Sequence, residues 1–321
     1  MANISGRLLR RSARSKRRRR LAGRALRTMA FVVPRGDPPS QPVFVLGSPR
    51  SGTTLLFEVL RRSSAVSSLE GESHLLWEMF HPAGGAGWAS HEIRAEDISD
   101  RERRILRWAV ERIADGRRYL DKSPRNAVRV PYLDALFPDA RFVFLKRDGR
   151  AAVSSLITGW RSEKDVFGGV EVPEPLQIEG YSGRLWRFVA PPGWRDYRRG
   201  HTLAEVCAFQ WRATNEALLA ARDAVPPERW VELTYERFVA APREETARLL
   251  ERLALPLEDP VLNHAASLDR HVTKVAVTPP RQDKWRDENP AEVERILPSI
   301  EPTMRRLGYR PDEAPSGSSP G

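Results

Sequence analysis

One cysteine in 321 residues excludes an internal disulfide framework and favours a reducing compartment. That residue, Cys207, sits in the apolar pattern AEVCAFQW and reads as core packing. No stretch approaches the ~20 consecutive apolar residues that span a bilayer, and no internal repeat is present. The six histidines are scattered without H-E-x-x-H or comparable spacing, so no metal site is expected. Acidic residues are absent from residues 1–36, which carry twelve Lys and Arg; the remaining 41 basic residues face 42 acidic ones. The formal charge of +11 therefore belongs to a tail, and the body is near neutral, which argues against a dedicated nucleic-acid-binding surface. A solvated basic block of this kind makes at most weak contact with a membrane surface or nucleic acid. Such Arg-rich, acid-free starts also resemble transit segments; the cytoplasm is the default expectation. High Arg and Ala usage points to GC-rich coding of the kind found in bacteria. Oligomeric state leaves no readable trace.

What is present is an alternation of strand and helix signals. After a Pro/Gly break at 34–42, PVFVLG is a buried-strand signature, and TTLLFEVLRR has helical spacing. A second unit pairs RYLDK (118–122) with a helix over 127–137, and a third pairs RFVFLK (141–146) with DGRAAVSSLI. This rhythm predicts an α/β fold: a P-loop-like three-layer domain with a central parallel sheet flanked by helices. Residues 159–201 break the rhythm with Gly, Pro and Trp and read as a variable functional loop on the acceptor side. A helix over 202–223, a strand at RWVELTY, a helix over 240–253 and a last helix interrupted at Pro298 follow. The domain division is a tail and linker at 1–41, one domain at 42–310 and a disordered end at 311–321.

The strongest local signal is GSPRSGTT (47–54) between the first strand and the first helix. Gly47 and Gly52 keep the G-x-x-x-x-G spacing of a phosphate loop, whose backbone N–H groups and helix N-terminus hold an anion. The Lys that a nucleotide-triphosphate loop needs after its second Gly is replaced by Thr53, and the cation has moved inside the loop to Arg50. At the end of the third strand Arg147 is followed eight residues later by Ser155. That is slightly over two helical turns, so both side chains can meet one phosphate; each alone also has a structural reading.

PRSGTTLL followed by LKRDGRAAVSSL resembles the sulfotransferases that use 3′-phosphoadenosine 5′-phosphosulfate (PAPS), above all the tyrosylprotein sulfotransferases and their bacterial relatives. The resemblance implies an enzyme that moves a sulfuryl group to an acceptor hydroxyl, without a metal. It places Arg50, Ser51, Gly52, Thr53 and Thr54 at the 5′-phosphosulfate, and Arg147 and Ser155 at the 3′-phosphate. LTYERF suggests Tyr235 against the adenine, and QDKWR suggests Lys284 as a further nucleotide contact. Lys122, in YLDKSPRN, corresponds to a Lys beside the transferring group, where with Arg50 it would meet charge growing on the bridging oxygen. In SLEGESHLLWEMFH the family's Gly-Glu pair is matched by Gly71-Glu72, so Glu72 is the first choice of base, with Glu70 and His74 as alternatives. Where that branch carries an Arg four residues after its phosphate Ser, this chain has Gly159, with Arg161 nearby. The acceptor (carbohydrate, metabolite or protein tyrosine) is not legible. Trp160, Trp186, Phe188 and Trp194 either line its pocket or pin the segment to the body. Two rivals remain: a P-loop kinase using Asp148 for a metal, and a non-catalytic nucleotide-binding protein on the same fold.

Overall fold

In a computed structural model, which describes residues 41–85, 87–163, 168–268 and 284–310, the run VFVL becomes strand β1 (Val43–Leu46) with all four side chains buried. With β2 (Val66–Ser67), β3 (Arg118–Lys122), β4 (Arg141–Lys146) and, late in the chain, β8 (Trp230–Thr234), it forms a sheet of order β2-β3-β1-β4-β8. Every neighbouring pair in that sheet is parallel. Side-chain alternation splits the strands between two cores. Phe44, Leu46, Tyr119, Phe142, Phe144 and Trp230 enter a larger aromatic core on one face. Val43, Val45, Leu120, Val143, Leu145, Val231 and Leu233 enter an aliphatic core on the other. A sheet covered on both faces, with continuously apolar strands, is the expected α/β arrangement.

Four local readings change. Helix Asp100–Ala114, capped by the Ser99 side chain accepting from Glu102 N–H, went unread although Ser99 is a good N-cap signal. The two-residue strand β2 was too short to read. The last helix runs unbroken over Pro290–Arg306 with Pro298 and Pro302 inside it. Both prolines are on the solvent side, while Val293, Ile296, Ile300 and Met304 are buried. Core burial along one face thus outweighs the ~3 kcal/mol that an interior proline costs.

The fourth change concerns residues 159–201, where the expected irregular loop is largely a second sheet. Its strands β5 (Gly169–Glu179), β6 (Tyr181–Arg187) and β7 (Arg199–Thr202) lie in the order β6-β5-β7, β5 and β6 pairing as a hairpin. Val170, Val172, Leu176 and Ile178 alternate inward along β5, but Pro173 and Pro175 and a shift of register between Glu171 and Leu176 hide the pattern. Trp160 and Trp186 are fully buried and Trp194 nearly so. Their rings meet edge-on, Trp160 to Trp186 at 5.4 Å and Trp186 to Trp194 at 5.0 Å. Each indole N–H has an acceptor: Gln210 Oε1, the Val189 carbonyl and the Ala89 carbonyl respectively. These three buried rings pack the hairpin, through Trp186, against helix Gly149–Arg161 and the turn at Trp194. Among the described residues no helix is long and apolar enough to cross a membrane. The tail at 1–40 and the end at 311–321 lie outside the described residues.

Replacing Trp186 by Ala is expected to cost about 3–5 kcal/mol in urea unfolding, as for large buried aromatics. A loss within about 0.5 kcal/mol, the range of surface substitutions, would return this residue to a solvent-facing role.

Candidate active site

The loop after β1 lies at the carboxyl edge of the parallel sheet, where ligands bind in open α/β folds. Gly52 has a φ of 91°, and a Cβ there would come within 2.5 Å of the Tyr235 ring, so both the turn and the contact require glycine. Arg50 also sits in the left-handed region, at a φ of 69°. The Ser48 and Ser51 hydroxyls are 2.6 Å apart under the loop. Helix Thr53–Leu60 starts at Gly52 with no side-chain cap, so its first-turn N–H groups face the loop as anion donors.

Four of the expected nucleotide residues converge here. Arg50 Nε donates to Ser155 Oγ at 3.1 Å. Arg147 donates to the Arg50 carbonyl at 2.7 Å, and its guanidinium lies 4.3 Å from the centre of the Tyr235 ring. Arg147 Nε is buried with no hydrogen-bond partner. Burial, followed by the charge of Arg147, lowers the Arg50 pKa from 12.5 to about 10. Two adjacent, partly desolvated guanidiniums and an orphaned donor fit the phosphate and phosphosulfate oxygens of PAPS. Glu236 steadies them from behind: Oε1 accepts from Asp148 N–H at 3.0 Å, and Oε2 from Tyr309 OH at 2.7 Å. Asp148 itself is ion-paired with Arg150 at 2.6 Å and caps helix Gly149–Arg161. The carboxylate that a kinase reading reserves for a metal is thus already engaged. Among the described residues, no group of three or more His, Cys, Asp or Glu is placed to hold a metal ion.

The neighbouring strand end carries a second cluster. Val45 of β1 stands opposite Lys122 of β3, so the loop and the Lys122 ammonium leave adjacent strands. Lys122 Nζ donates to Glu72 Oε1 at 2.6 Å, and the other oxygen of Glu72 pairs with His74 Nε2 at 2.8 Å. Two of the three base candidates therefore sit together beside the expected lysine, while Glu70 is exposed. Burial works to raise the Glu72 carboxyl, but the Lys122 charge and the His74 hydrogen bond outweigh it and hold the group well below the usual carboxylate range. Burial, with the Arg125 charge, lowers His74 below its usual 6.5, which leaves the ring neutral at pH 7.

Several residues here were missed by sequence reasoning. Glu78 accepts from Arg125 Nη1 at 2.5 Å and Arg129 Nη2 at 2.9 Å. Arg125 also reaches the Gly169 carbonyl at the start of β5, at 3.4 Å. Asp121 and Ser73 bond beneath Glu72. The signal for Arg125 lay within the quoted KSPRN; Glu78 had none beyond its place in an acidic stretch. Lys284 opens helix Trp285–Glu288 and is ion-paired with Glu288 at 3.0 Å, whose charge bears on Arg50. Its neighbours 269–283 lie outside the described residues. A larger residue at Gly159 would displace the Phe188 ring, which a Cβ there would meet at 2.6 Å. Arg161 turns instead to Asn289 and Glu292, each at 3.2 Å.

The model of the Sulfotransferase family matches residues 42–191 and 184–259. Protein-tyrosine sulfotransferase A of Caenorhabditis elegans is 25% identical over 299 residues, covering 85% of this chain and 68% of that protein. Protein-tyrosine sulfotransferase 1 of Danio rerio is 25% identical over 298 residues, covering 85% and 73%. The match to the Drosophila melanogaster enzyme spans only 52% of that protein. Among solved structures, a sulfotransferase domain from the curacin biosynthetic pathway superposes with a TM-score of 0.52 at 19% identity, over 85% of this chain and 99% of that one. A sulfotransferase of Mycobacterium avium gives 0.53 at 16%, over 88% and 80%. At these identities the two structures support the fold alone.

Burial works to raise the Glu78 carboxyl, yet the charges of Arg125, His74 and Arg129 bring it from 4.5 to about 2. A depressed carboxylate contributes stability above its unfolded pKa and loses it as pH falls through the folded one. Stability is thus expected to hold down to pH 4.5 and to fall towards pH 2. Glu78→Gln should flatten that acid slope while costing about 3–5 kcal/mol at pH 7, because Arg125 and Arg129 lose their carboxylate. Urea unfolding across pH 2.5–7 measures both; an unchanged slope would remove Glu78 from the acid response.

Proposed function

We propose how this chain works from a plain premise: it belongs to the sulfotransferase family. It is an enzyme that moves a sulfuryl group from PAPS to an acceptor hydroxyl. The observation that carries the assignment of roles is the pairing of the two cationic clusters on adjacent strand ends. Arg50, Arg147 and Ser155 are linked to one another by hydrogen bonds, and Lys122 with Glu72 stands at the next strand.

Arg147 and Ser155 hold the 3′-phosphate, with the Tyr235 ring under Arg147 and beside the adenine. The loop N–H groups, with Arg50, Ser51, Gly52, Thr53 and Thr54, hold the 5′-phosphosulfate. Lys284 adds a contact from the C-terminal side. The acceptor oxygen attacks sulfur in line; its bond to sulfur forms as the bond from sulfur to the phosphate oxygen breaks. The bond pair stays on that oxygen, and 3′,5′-adenosine bisphosphate leaves. Lys122 and Arg50 meet the charge that grows on the departing oxygen. Glu72 takes the acceptor proton. While Lys122 is paired with Glu72 the carboxylate is a poor base. As Lys122 turns to the leaving oxygen, that depression relaxes and Glu72 gains basicity when it is needed. His74 holds the second Glu72 oxygen through Nε2. A second reading makes His74 the base, favoured by its neutrality at pH 7.

Transfer needs no divalent metal in this arrangement, since lysine and arginine do the charge compensation. Among acceptors, protein tyrosine is the first to test, because curated relatives that align over most of this chain are named as protein-tyrosine sulfotransferases. Carbohydrate and small-metabolite hydroxyls are the comparators. From composition alone the proposal extends to residence in the cytoplasm and to weak contact of the basic tail with acidic surfaces.

Calorimetric titration with 3′,5′-adenosine bisphosphate in EDTA is expected to give micromolar binding, tighter than ATP, that collapses in Arg147→Ala. Binding of ATP alone, and only with Mg²⁺, would replace this reading by the kinase one. In turnover on a tyrosine peptide, Glu72→Gln is expected to lower kcat about 10²–10⁴-fold, the usual worth of a general base, with nucleotide affinity kept. His74→Gln should lower it less; the reverse ranking makes His74 the base. Lys122→Ala should likewise act on kcat, and equal losses in kcat and nucleotide affinity would make Lys122 a binding residue instead.

A further inference from the structure

Asp121 is the residue before Lys122 on β3 and is 1% exposed. Alternation along the strand turns Tyr119 to the aromatic core and Leu120 to the aliphatic one, so Asp121 and Lys122 leave the strand on opposite faces. Its Oδ1 accepts from Ser73 Oγ at 2.5 Å, and its Oδ2 accepts from Trp77 Nε1 and Asn126 Nδ2, each at 2.8 Å. The Tyr119 hydroxyl lies 2.5 Å from the same Ser73 oxygen. A carboxylate only accepts, so Ser73 donates to Asp121 and Tyr119 donates to Ser73; every direction in the chain is fixed. The hydrogen-bond donors around Asp121 are thus a hydroxyl, an indole and an amide, all neutral.

The consequence lies in where those donors sit. Ser73 stands between Glu72 and His74, and Trp77 ends the helix that His74 begins. Consecutive residues of β3 therefore grip consecutive residues of the turn: Asp121 holds Ser73 while Lys122 holds Glu72. Asn126 ties in the turn that follows Lys122 from the other side. Three donors arriving at two oxygens need a carboxylate; an asparagine would offer one oxygen and turn an N–H towards the other donors.

We propose that Asp121 is a positioning residue for sulfuryl transfer, which holds Ser73 so that Glu72 and His74 stay in register with Lys122. The inference rests on the roles given to Glu72 and Lys122 above, and its test has a readout that does not. In wild-type protein labelled with ¹⁵N-histidine, the His74 ring is expected to show a single neutral tautomer protonated on Nε2, assigned by its loss in His74→Gln. In Asp121→Asn the His74 nitrogen shifts are expected to move towards a mixture of tautomers, while affinity for 3′,5′-adenosine bisphosphate stays within about twofold, because Arg50, Arg147 and Ser155 are untouched. With a tyrosine peptide, kcat should fall at least about tenfold and KM for PAPS should hold, since small misplacement of a reacting group is enough for that loss. If Asp121→Asn fails to fold, Ser73→Ala removes one donor from the same carboxylate and is read in the same way. Folded variants with His74 resonances at their wild-type positions would overturn the proposal. Failure of the wild-type protein to bind 3′,5′-adenosine bisphosphate would sink the PAPS reading instead and leave the histidine result standing.

Discussion

Arg50 and Arg147 stand beside each other in a partly desolvated site, and much of the surrounding architecture holds them there. Left to themselves, two guanidiniums in a low-dielectric edge repel and seek water; the drop in the Arg50 pKa to about 10 registers burial first and that repulsion second. The hydrogen bonds and ring contact that restrain them are with neutral groups, while the Glu288 charge also bears on Arg50. The Arg147 guanidinium sits on the Tyr235 ring, Tyr235 sits on Gly52, and Ser155 Oγ accepts a hydrogen bond from Arg50 Nε. Glu236, one residue beyond Tyr235, fixes the backbone one residue beyond Arg147. These contacts hold the two guanidiniums side by side, and in the function proposed above their charge is what an anionic nucleotide meets.

The adjacent cluster follows the opposite rule. There each charge has an opposite partner: Lys122 is paired with Glu72, and Arg125 and Arg129 share Glu78. Matched pairs tolerate burial and hold geometry, but they suppress the basicity of the carboxylate. In the function proposed above, a site that binds a nucleotide through two guanidiniums and handles a proton through the Lys122–Glu72 pair couples the two. An anion that draws Lys122 away raises the proton affinity of Glu72 in the same movement. The order of events, nucleotide before proton transfer, is then a property of the electrostatics.

The parallel sheet and the phosphate loop were legible because each rests on local signals: VFVL, RFVFLK and the spacing of Gly47 and Gly52 need no partner to be recognised. Arg147 and Ser155 were legible as a pair through helical pitch, whereas the resemblance set Arg50 at the other end of the nucleotide and gave no sign of its bonds to both. The hairpin of β5 and β6 was not, since its inward alternation is broken by two prolines and a register shift that only the paired strand explains. Pro298 misled for the converse reason, because a helix held by tertiary burial tolerates a proline that a local rule forbids. Asp121, Glu78 and Arg125 escaped because a buried carboxylate is defined by donors far away in sequence, here 44 to 51 residues off for Trp77, Ser73, Arg125 and Arg129.

Arg125 carries the remaining connection. Its guanidinium joins Glu78, in the segment that bears His74, to the carbonyl of Gly169, where β5 begins. The hairpin is otherwise seated on the large core through Val172, Leu176, Ile178 and Trp186, whose ring meets those of Trp160 and Trp194. If the hairpin forms the acceptor side expected from the sequence, a wall tied to the Glu78 cluster through the Gly169 carbonyl and seated elsewhere on the core sets which acceptors are admitted, while Lys122 and Glu72 carry the proposed transfer.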